Sequence, residues 1–192
     1  MRAALCDALP AGAYTEAYAG EVPAFAPGDR PAVIVGDFAY GFHELVPGPS
    51  RYAVMLRHPV SRILSLYRTA GRPGPSLEAW VFDDRRIAAD NAAVRMISGR
   101  TDVPFGACTN DMLEAALAHI ETDFAAVVSR SSMSRSAVVL GRALGMTLPP
   151  FPLVGADPAG EDSLDPPKPV RKRLRQLNHL DLELFRRYSD DF

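Results

Sequence analysis

A segment at residues 51–68, RYAVMLRHPVSRILSLYR, combines residue types that bind phosphate groups. Arg57 ends an apolar run typical of a buried strand, and a His58-Pro59 turn leads into a helical pattern. A helix N-terminus offers free N–H groups and a partial positive charge, and an arginine guanidinium can hold phosphate through two hydrogen bonds. Ser65, eight residues after Arg57, adds a hydroxyl. We expect Arg57 and Ser65 to hold one phosphate; the alternative is a solvated arginine and a serine that bonds within its own helix.

Three short apolar runs, at 32–35, 52–57 and 124–128, predict the buried parallel strands that would position this segment. Helical patterns alternate with them, and we predict helices at 2–9, 60–67, 76–82, 88–97, 110–120, 134–144 and 170–189. Residues 10–30 are rich in proline and glycine and predict a loop or a weak helix. This alternation predicts an α/β sandwich around a mainly parallel sheet, in which ligands bind at the carboxyl ends of strands.

Length and composition limit the classes of protein to consider. With 192 residues and 47% apolar residues, the chain predicts a single domain over 1–192. The net charge of −2 argues against a nucleic-acid partner, and no apolar run is long enough to predict a membrane span. Cys6 and Cys108 have no metal or redox spacing, so we expect free thiols, a cytoplasmic location and no metal. Alanine and arginine are abundant, as is typical of GC-rich bacterial genomes.

Two segments near the end of the chain have alternative interpretations. Residues 147–169 contain seven prolines and predict a lid over an acceptor site or a disordered loop. The basic run RKRLR, residues 171–175, lies within the predicted C-terminal helix at 170–189. It would meet an anionic acceptor or the phosphates of a nucleotide, or it would form a helix surface with acidic partners.

The block R-H-P-x-x-R-x-x-S-x-Y at residues 57–67 resembles the 3′-phosphate-binding segment of the PAPS-dependent sulfotransferases. The likeness is greatest to the branch with heparan sulfate 2-O-sulfotransferases and their bacterial relatives. In that family the arginine and the serine hold the 3′-phosphate of 3′-phosphoadenosine-5′-phosphosulfate (PAPS), and they match Arg57 and Ser65. The resemblance implies PAPS as the sulfuryl donor, a hydroxyl acceptor such as a saccharide, and a P-loop-like three-layer sandwich.

Three weaker blocks extend the resemblance over roughly residues 30 to 192. They are VGDFAYGFHELV at 35–46, DNAAVRMISG at 90–99 and NHLDLELFRRYSDDF at 178–192. Within the second block, Asn91 and Arg95 are four residues apart and are predicted to share a helix face. We expect that face to contact the nucleotide or the acceptor, or to be solvated.

The first departure from the family concerns the catalytic base. Sulfuryl transfer needs a group that accepts the proton of the attacking hydroxyl, and in the family a histidine that follows a glycine is this base. Asp37 occupies that position, and His43 matches a second histidine of the pattern. Asp37 or His43 is therefore the predicted base; the alternatives are a turn former at Asp37 and a solvent-facing loop residue at His43.

The second departure concerns the start of the chain. The family begins with a strand and a K-[TA]-[GA]-[GS]-[TS]-S loop that surrounds the 5′-phosphosulfate, and the opening MRAALCDALP resembles the helix that would follow that loop. We therefore expect the first strand of the sheet to be missing, through a start codon assigned too late or through a true truncation. The second case predicts a remnant that binds a 3′-phosphonucleotide without turnover. A nucleotide kinase is disfavoured because G-x-x-x-x-G-K-[ST] is absent.

Overall fold

The computed structural model of the chain describes residues 14–17, 33–130, 132–145, 147–148 and 165–189. The helix predicted at 2–9 and Cys6 lie outside the described residues, as does most of the proline-rich segment at 147–169. Within the described ranges, the chain is a mixed α/β protein whose strands all pair in parallel.

The strands are β1 (Tyr14–Ala17), β2 (Val33–Gly36), β3 (Tyr52–Leu56) and β4 (Phe124–Ser129). β1 pairs with β2, and β3 pairs with β4. The three strands predicted from apolar runs are confirmed, with bounds shifted by no more than one residue, but the predicted burial is wrong for β2, which has no buried residue. The prediction of loop or weak helix over 10–30 is wrong at β1, because pairing with the distant β2 gives this polar four-residue stretch its strand conformation.

The α-helices are α1 (Pro59–Thr69), α2 (Ala92–Ser98), α3 (Asn110–Asp123), α4 (Met133–Leu144), α5 (Lys168–Leu177) and α6 (His179–Tyr188). Short turns lie at Phe42–Leu45, Ala79–Asp83 and Ile87–Ala89, the second being π-helical. The helix predicted at 88–97 begins only at Ala92, since Asn91 is left-handed with φ 43°. The single helix predicted at 170–189 is two helices, divided at Asn178.

Three apolar clusters hold these elements together. The first joins β3, α2, α3 and α6 around Leu56, Ile97, Met112 and Leu184. A second packs α1 against the π-helical turn and α5, with Trp80 buried and Phe82 partly buried, and a third lies between β4 and α4. Both faces of the β3–β4 pair are therefore covered.

None of the described helices is long and apolar enough to cross a membrane.

Candidate functional site

The carboxyl end of the β3–β4 pair carries two adjacent arginines. Leu56 pairs with Ser129 at the last register position, so Arg57 and Arg130 follow side by side. The Arg130 backbone N–H donates a 2.9 Å hydrogen bond to the Leu56 carbonyl, and α1 and α4 begin a few residues beyond these arginines. Sequence analysis missed Arg130, although a strand that ends in arginine before serines was the same signal that identified Arg57.

The helix that follows Arg57 begins as the sequence predicts. Pro59 is the first residue of α1, where its missing N–H leaves no unsatisfied donor, and Val60 and Ile63 bury the inner face. Ser61 is exposed, and Ser65, one turn later, is half-buried. The backbone carbonyl of Ser65 accepts a hydrogen bond from the Thr69 hydroxyl. The structure thus places Arg57 just before α1 and Ser65 on it. Their joint contact with a phosphate stays a prediction.

A groove of about 240 Å³ lies between the start of α1 and α5. Its walls are His58, Val60, Ser61, Leu64, Asp165, Pro166, Arg171 and Arg175. Arg171 pairs with Asp165, whereas the exposed Arg175 has no hydrogen bond or ion pair within the described ranges. Since pockets for whole ligands have volumes of roughly 300–1,000 Å³, this groove fits one charged group of a ligand rather than a complete nucleotide.

The basic run at 171–175 divides between two environments. Arg171 and Arg175 line the groove, but Arg173 pairs with Glu78 and its guanidinium lies 4.0 Å from the centre of the Phe82 ring. The predicted alternative of a helix surface with acidic partners is therefore found at Arg171 and Arg173, and the contact of the run with an anion stays a prediction.

Asp37 and His43 have different surroundings. Asp37 follows β2 directly and is exposed. Burial lowers the pKa of Arg62 on the first turn of α1, while the nearby charges of Asp181 and Asp37 raise it, so Asp37 lies within electrostatic reach of that helix. The His43 ring Nδ1 lies 2.8 Å from the Tyr52 hydroxyl, at the amino end of β3.

The length of β3 separates His43 from the arginine edge. Tyr52 is five residues before Arg57, and a strand rises about 3.3 Å per residue, so the two ends lie roughly 16 Å apart. Of the two predicted bases, His43 therefore lies at the end of β3 opposite to Arg57.

The predicted ligand contact of Asn91 and Arg95 is corrected, because both residues are only 2% exposed. Asn91 Oδ1 accepts the backbone N–H groups of Leu180 and Asp181, each at 3.1 Å, and so caps α6. In return the Asp181 carboxylate accepts the N–H groups of Ala93 and Val94, at 3.1 and 2.8 Å, and caps α2. The two helices thus cap each other, and neither the ligand contact nor the solvated face is found.

Arg95 closes the same interior network. Its guanidinium forms a 2.5 Å ion pair with Asp90, whose side chain is fully buried, and also donates to the carbonyls of Val103 and Pro104. Asn178 accepts the Asn91 N–H at 2.9 Å and donates to the Ala89 carbonyl at 2.8 Å. No buried side-chain nitrogen or oxygen of the described residues lacks a partner, so this network is satisfied without a ligand.

The Cys108 thiol lies beside this network, with its sulfur 3.9 Å from Asp90 Oδ2. Burial, with the nearby Asp90 carboxylate, raises the pKa of Cys108 to about 11, so the thiol is protonated at neutral pH and is not a reactive nucleophile.

Comparisons of the chain with protein-family models, with curated proteins and with solved structures return no match. In the groove that adjoins the carboxyl end of β3–β4, Ser61 and Arg175 are exposed, and Arg175 carries a positive charge. This arrangement is suited to binding an anion.

Proposed function

We propose that the chain is a PAPS-dependent sulfotransferase that moves a sulfuryl group from PAPS to a hydroxyl of a carbohydrate. One observation carries the proposal: Arg57 ends a parallel strand, α1 begins two residues later, and Ser65 follows on that helix. This is the local structure that the R-H-P-x-x-R-x-x-S-x-Y spacing requires. The three-layer sandwich with a larger parallel sheet is part of the same proposal.

Arg57, Ser65 and the first N–H groups of α1 would hold the 3′-phosphate of the donor. Each charge-assisted hydrogen bond contributes about 1.5–3 kcal/mol, so two side chains suffice to distinguish a nucleotide with a 3′-phosphate from one without it. Arg175, on the other wall of the groove, would add a second guanidinium to the same charged group.

Asp37 is the proposed base. The acceptor oxygen attacks sulfur in line, a new S–O bond forms, and the S–O bond to the 5′-phosphate breaks. The hydroxyl proton passes to the Asp37 carboxylate, and the products are a sulfate ester and 3′-phosphoadenosine-5′-phosphate. Asp37 is favoured over His43 because it lies within electrostatic reach of α1, whereas His43 is held at the far end of β3.

A second candidate function is a binding module that holds a 3′-phosphonucleotide without turnover. The observation that favours it is the position of the lysines. Lys168 and Lys172 are the only two in residues 1–192, and neither lies in a Gly/Ser/Thr-rich loop that would offset charge on the departing 5′-phosphate.

A transfer assay distinguishes the two candidates. The full chain is incubated with ³⁵S-labelled PAPS and a panel of unsulfated polysaccharides, and label in the polymer and release of the product nucleotide are measured. We expect Arg57→Ala to lower transfer by about 10- to 100-fold, the loss that corresponds to one charge-assisted contact. Arg86→Ala is the matched control, since Arg86 is an exposed arginine paired with Asp84.

Each outcome of this assay supports one of the two candidate functions or neither. Label transfer that depends on Arg57 and Asp37 supports the enzyme. Nucleotide binding that depends on Arg57 without any transfer supports the binding module. A chain that folds but neither binds nor transfers overturns both.

A further inference from the structure

The segment that follows β2 is attached to the rest of the molecule at two residues: His43, which bonds to Tyr52, and Tyr40, which is the nearer of the two to Asp37 in sequence. The Tyr40 ring stacks on His119 with the ring centres 3.5 Å apart and the planes 9° apart. Its hydroxyl donates a 2.5 Å hydrogen bond to the Asp123 carboxylate. This hydrogen bond is the main reason that the pKa of Tyr40 is raised to about 12. Tyr40 is therefore fixed to two residues of α3 at once.

The backbone of Tyr40 is fixed as well, at the end of α2. Its N–H donates to the Met96 carbonyl at 2.7 Å. Its own carbonyl oxygen lies where a Cβ on Gly99 would approach to 3.0 Å, and Gly99 has φ +77°. A side chain at position 99 would therefore be strained and would press on Tyr40. The sequence blocks at 35–46 and 90–99, each of which is a weak family resemblance by itself, are in contact here.

Asp37 has no such attachment of its own. Its carboxylate is exposed and makes no hydrogen bond or ion pair within the part of the chain that the structure describes. Its position thus follows from the backbone on either side, which is β2 before it and the fixed residue Tyr40 three positions after it.

We propose that Tyr40, held by Asp123, His119 and the end of α2, is a positioning residue that sets the place of Asp37 relative to α1. This inference rests on the proposed function, since it gives Tyr40 a role only if Asp37 is the base. A displacement of about 1 Å at a reacting group can cost about a hundredfold in rate, so a fixed point three residues away matters for turnover.

The test uses Tyr40→Phe, which keeps the ring stack and removes the hydroxyl, and Tyr40→Leu, which removes both. Tyr188→Phe is the control, because the Tyr188 hydroxyl has no hydrogen bond to any described residue. Three quantities are measured on the full chain: amide exchange over residues 36–46, affinity for 3′-phosphoadenosine-5′-phosphate, and kcat for sulfate transfer from PAPS to the polysaccharide that accepts most label.

For Tyr40→Phe we expect kcat to fall about tenfold with nucleotide affinity within about twofold of wild type, and exchange over 36–46 to rise. For Tyr40→Leu we expect kcat to fall about a hundredfold. Equal losses in kcat and in affinity would show a merely structural role and overturn the inference, as would an unchanged kcat. If the wild type binds the nucleotide and transfers no sulfate, the proposed enzyme fails, and the positioning role fails with it. A rise in amide exchange over residues 36–46 in the Tyr40 variants would then show only that Tyr40 holds this segment in place.

Discussion

The interior network around Asp90, Asn91 and Arg95 and the edge at Arg57 with its adjoining groove both contain arginine, but they differ in burial. In the network the buried polar atoms are bonded within the protein, and Asn91 and Arg95 are 2% exposed. At the edge and in the adjoining groove, Ser61 and Arg175 are exposed. A motif block that contains arginine and asparagine therefore does not identify a ligand site by itself; burial and hydrogen-bond partners decide it.

The network also shows how distant blocks depend on each other. Asn91 and Asp181 are 90 residues apart in sequence. Asn91, just before α2, caps α6, and Asp181, in the first turn of α6, caps α2. The block at 90–99 and the block at 178–192 are thus two halves of one structural unit. Their occurrence in one chain is explained by folding and needs no shared ligand.

The largest effect is expected from breaking the network at Arg95. Arg95→Met leaves the Asp90 carboxylate buried without its charged partner, and removal of one member of a buried pair costs about 3–5 kcal/mol. Urea unfolding monitored by circular dichroism gives the free energy of unfolding. Arg86→Met, which breaks an exposed ion pair, is the control and is expected to cost less than about 1 kcal/mol. Equal costs would remove the distinction between the two regions.

A smaller loss is expected from Asp181→Ala, which removes the cap of α2. Two backbone N–H groups, those of Ala93 and Val94, lose their acceptor, and the expected cost is about 1–3 kcal/mol in the free energy of unfolding. Glu183→Ala, in the same helix but exposed, is the control in the same urea titration and is expected to cost under about 1 kcal/mol.

Asp181 also predicts a pH dependence of stability. Burial raises the pKa of Asp181 above its ordinary value of 3.8 in the folded protein. The folded state thus holds the proton more tightly than the unfolded state. The contribution of protonated Asp181 to stability is therefore complete below the ordinary pKa and is lost as the pH rises through the folded pKa. Compared with Asp181→Asn, the wild type should lose free energy of unfolding from about pH 4 upward. A difference that instead grows in favour of the wild type with rising pH would contradict this.

Two glycines that end helices offer a finer comparison. Gly99 and Gly145 both have positive φ, at +77° and +66°, so alanine at either costs about 1–2 kcal/mol for the left-handed backbone. Only at Gly99 would the new Cβ also meet the Tyr40 carbonyl, at 3.0 Å, whereas nothing lies within 4 Å at Gly145. Gly99→Ala is therefore expected to lower the free energy of unfolding by about 1 kcal/mol more than Gly145→Ala, as measured in thermal melts. Equal values would mean that Tyr40 moves away freely.

Sequence reasoning predicted what local signals encode. The apolar runs predicted β2, β3 and β4, and the His58-Pro59 turn marked the start of α1. Each of these depends on residues within one turn or one strand.

What the sequence could not predict depends on distant partners. β1 is a strand because it pairs with β2, and the break at Asn178 arises where its side chain bonds to Asn91. The helical period placed Asn91 and Arg95 on one face, but it carried no information on whether α6 would cover that face. At the candidate site the same limit applied to the basic run at 171–175, since only the fold places Arg175 in the groove and Arg173 against Glu78.

The most direct test of the central claim, that the edge at Arg57 binds a 3′-phosphate, is the melting temperature of the full chain with 3′-phosphoadenosine-5′-phosphate. 5′-AMP is the ligand control, and Arg57→Ala and Arg86→Ala are the matched variants. We expect a rise of roughly 5–10 °C at a hundredfold excess over Kd, which is absent with 5′-AMP, lost in Arg57→Ala and kept in Arg86→Ala. A cooperative melt at the same temperature with and without the 3′-phosphate ligand would contradict it.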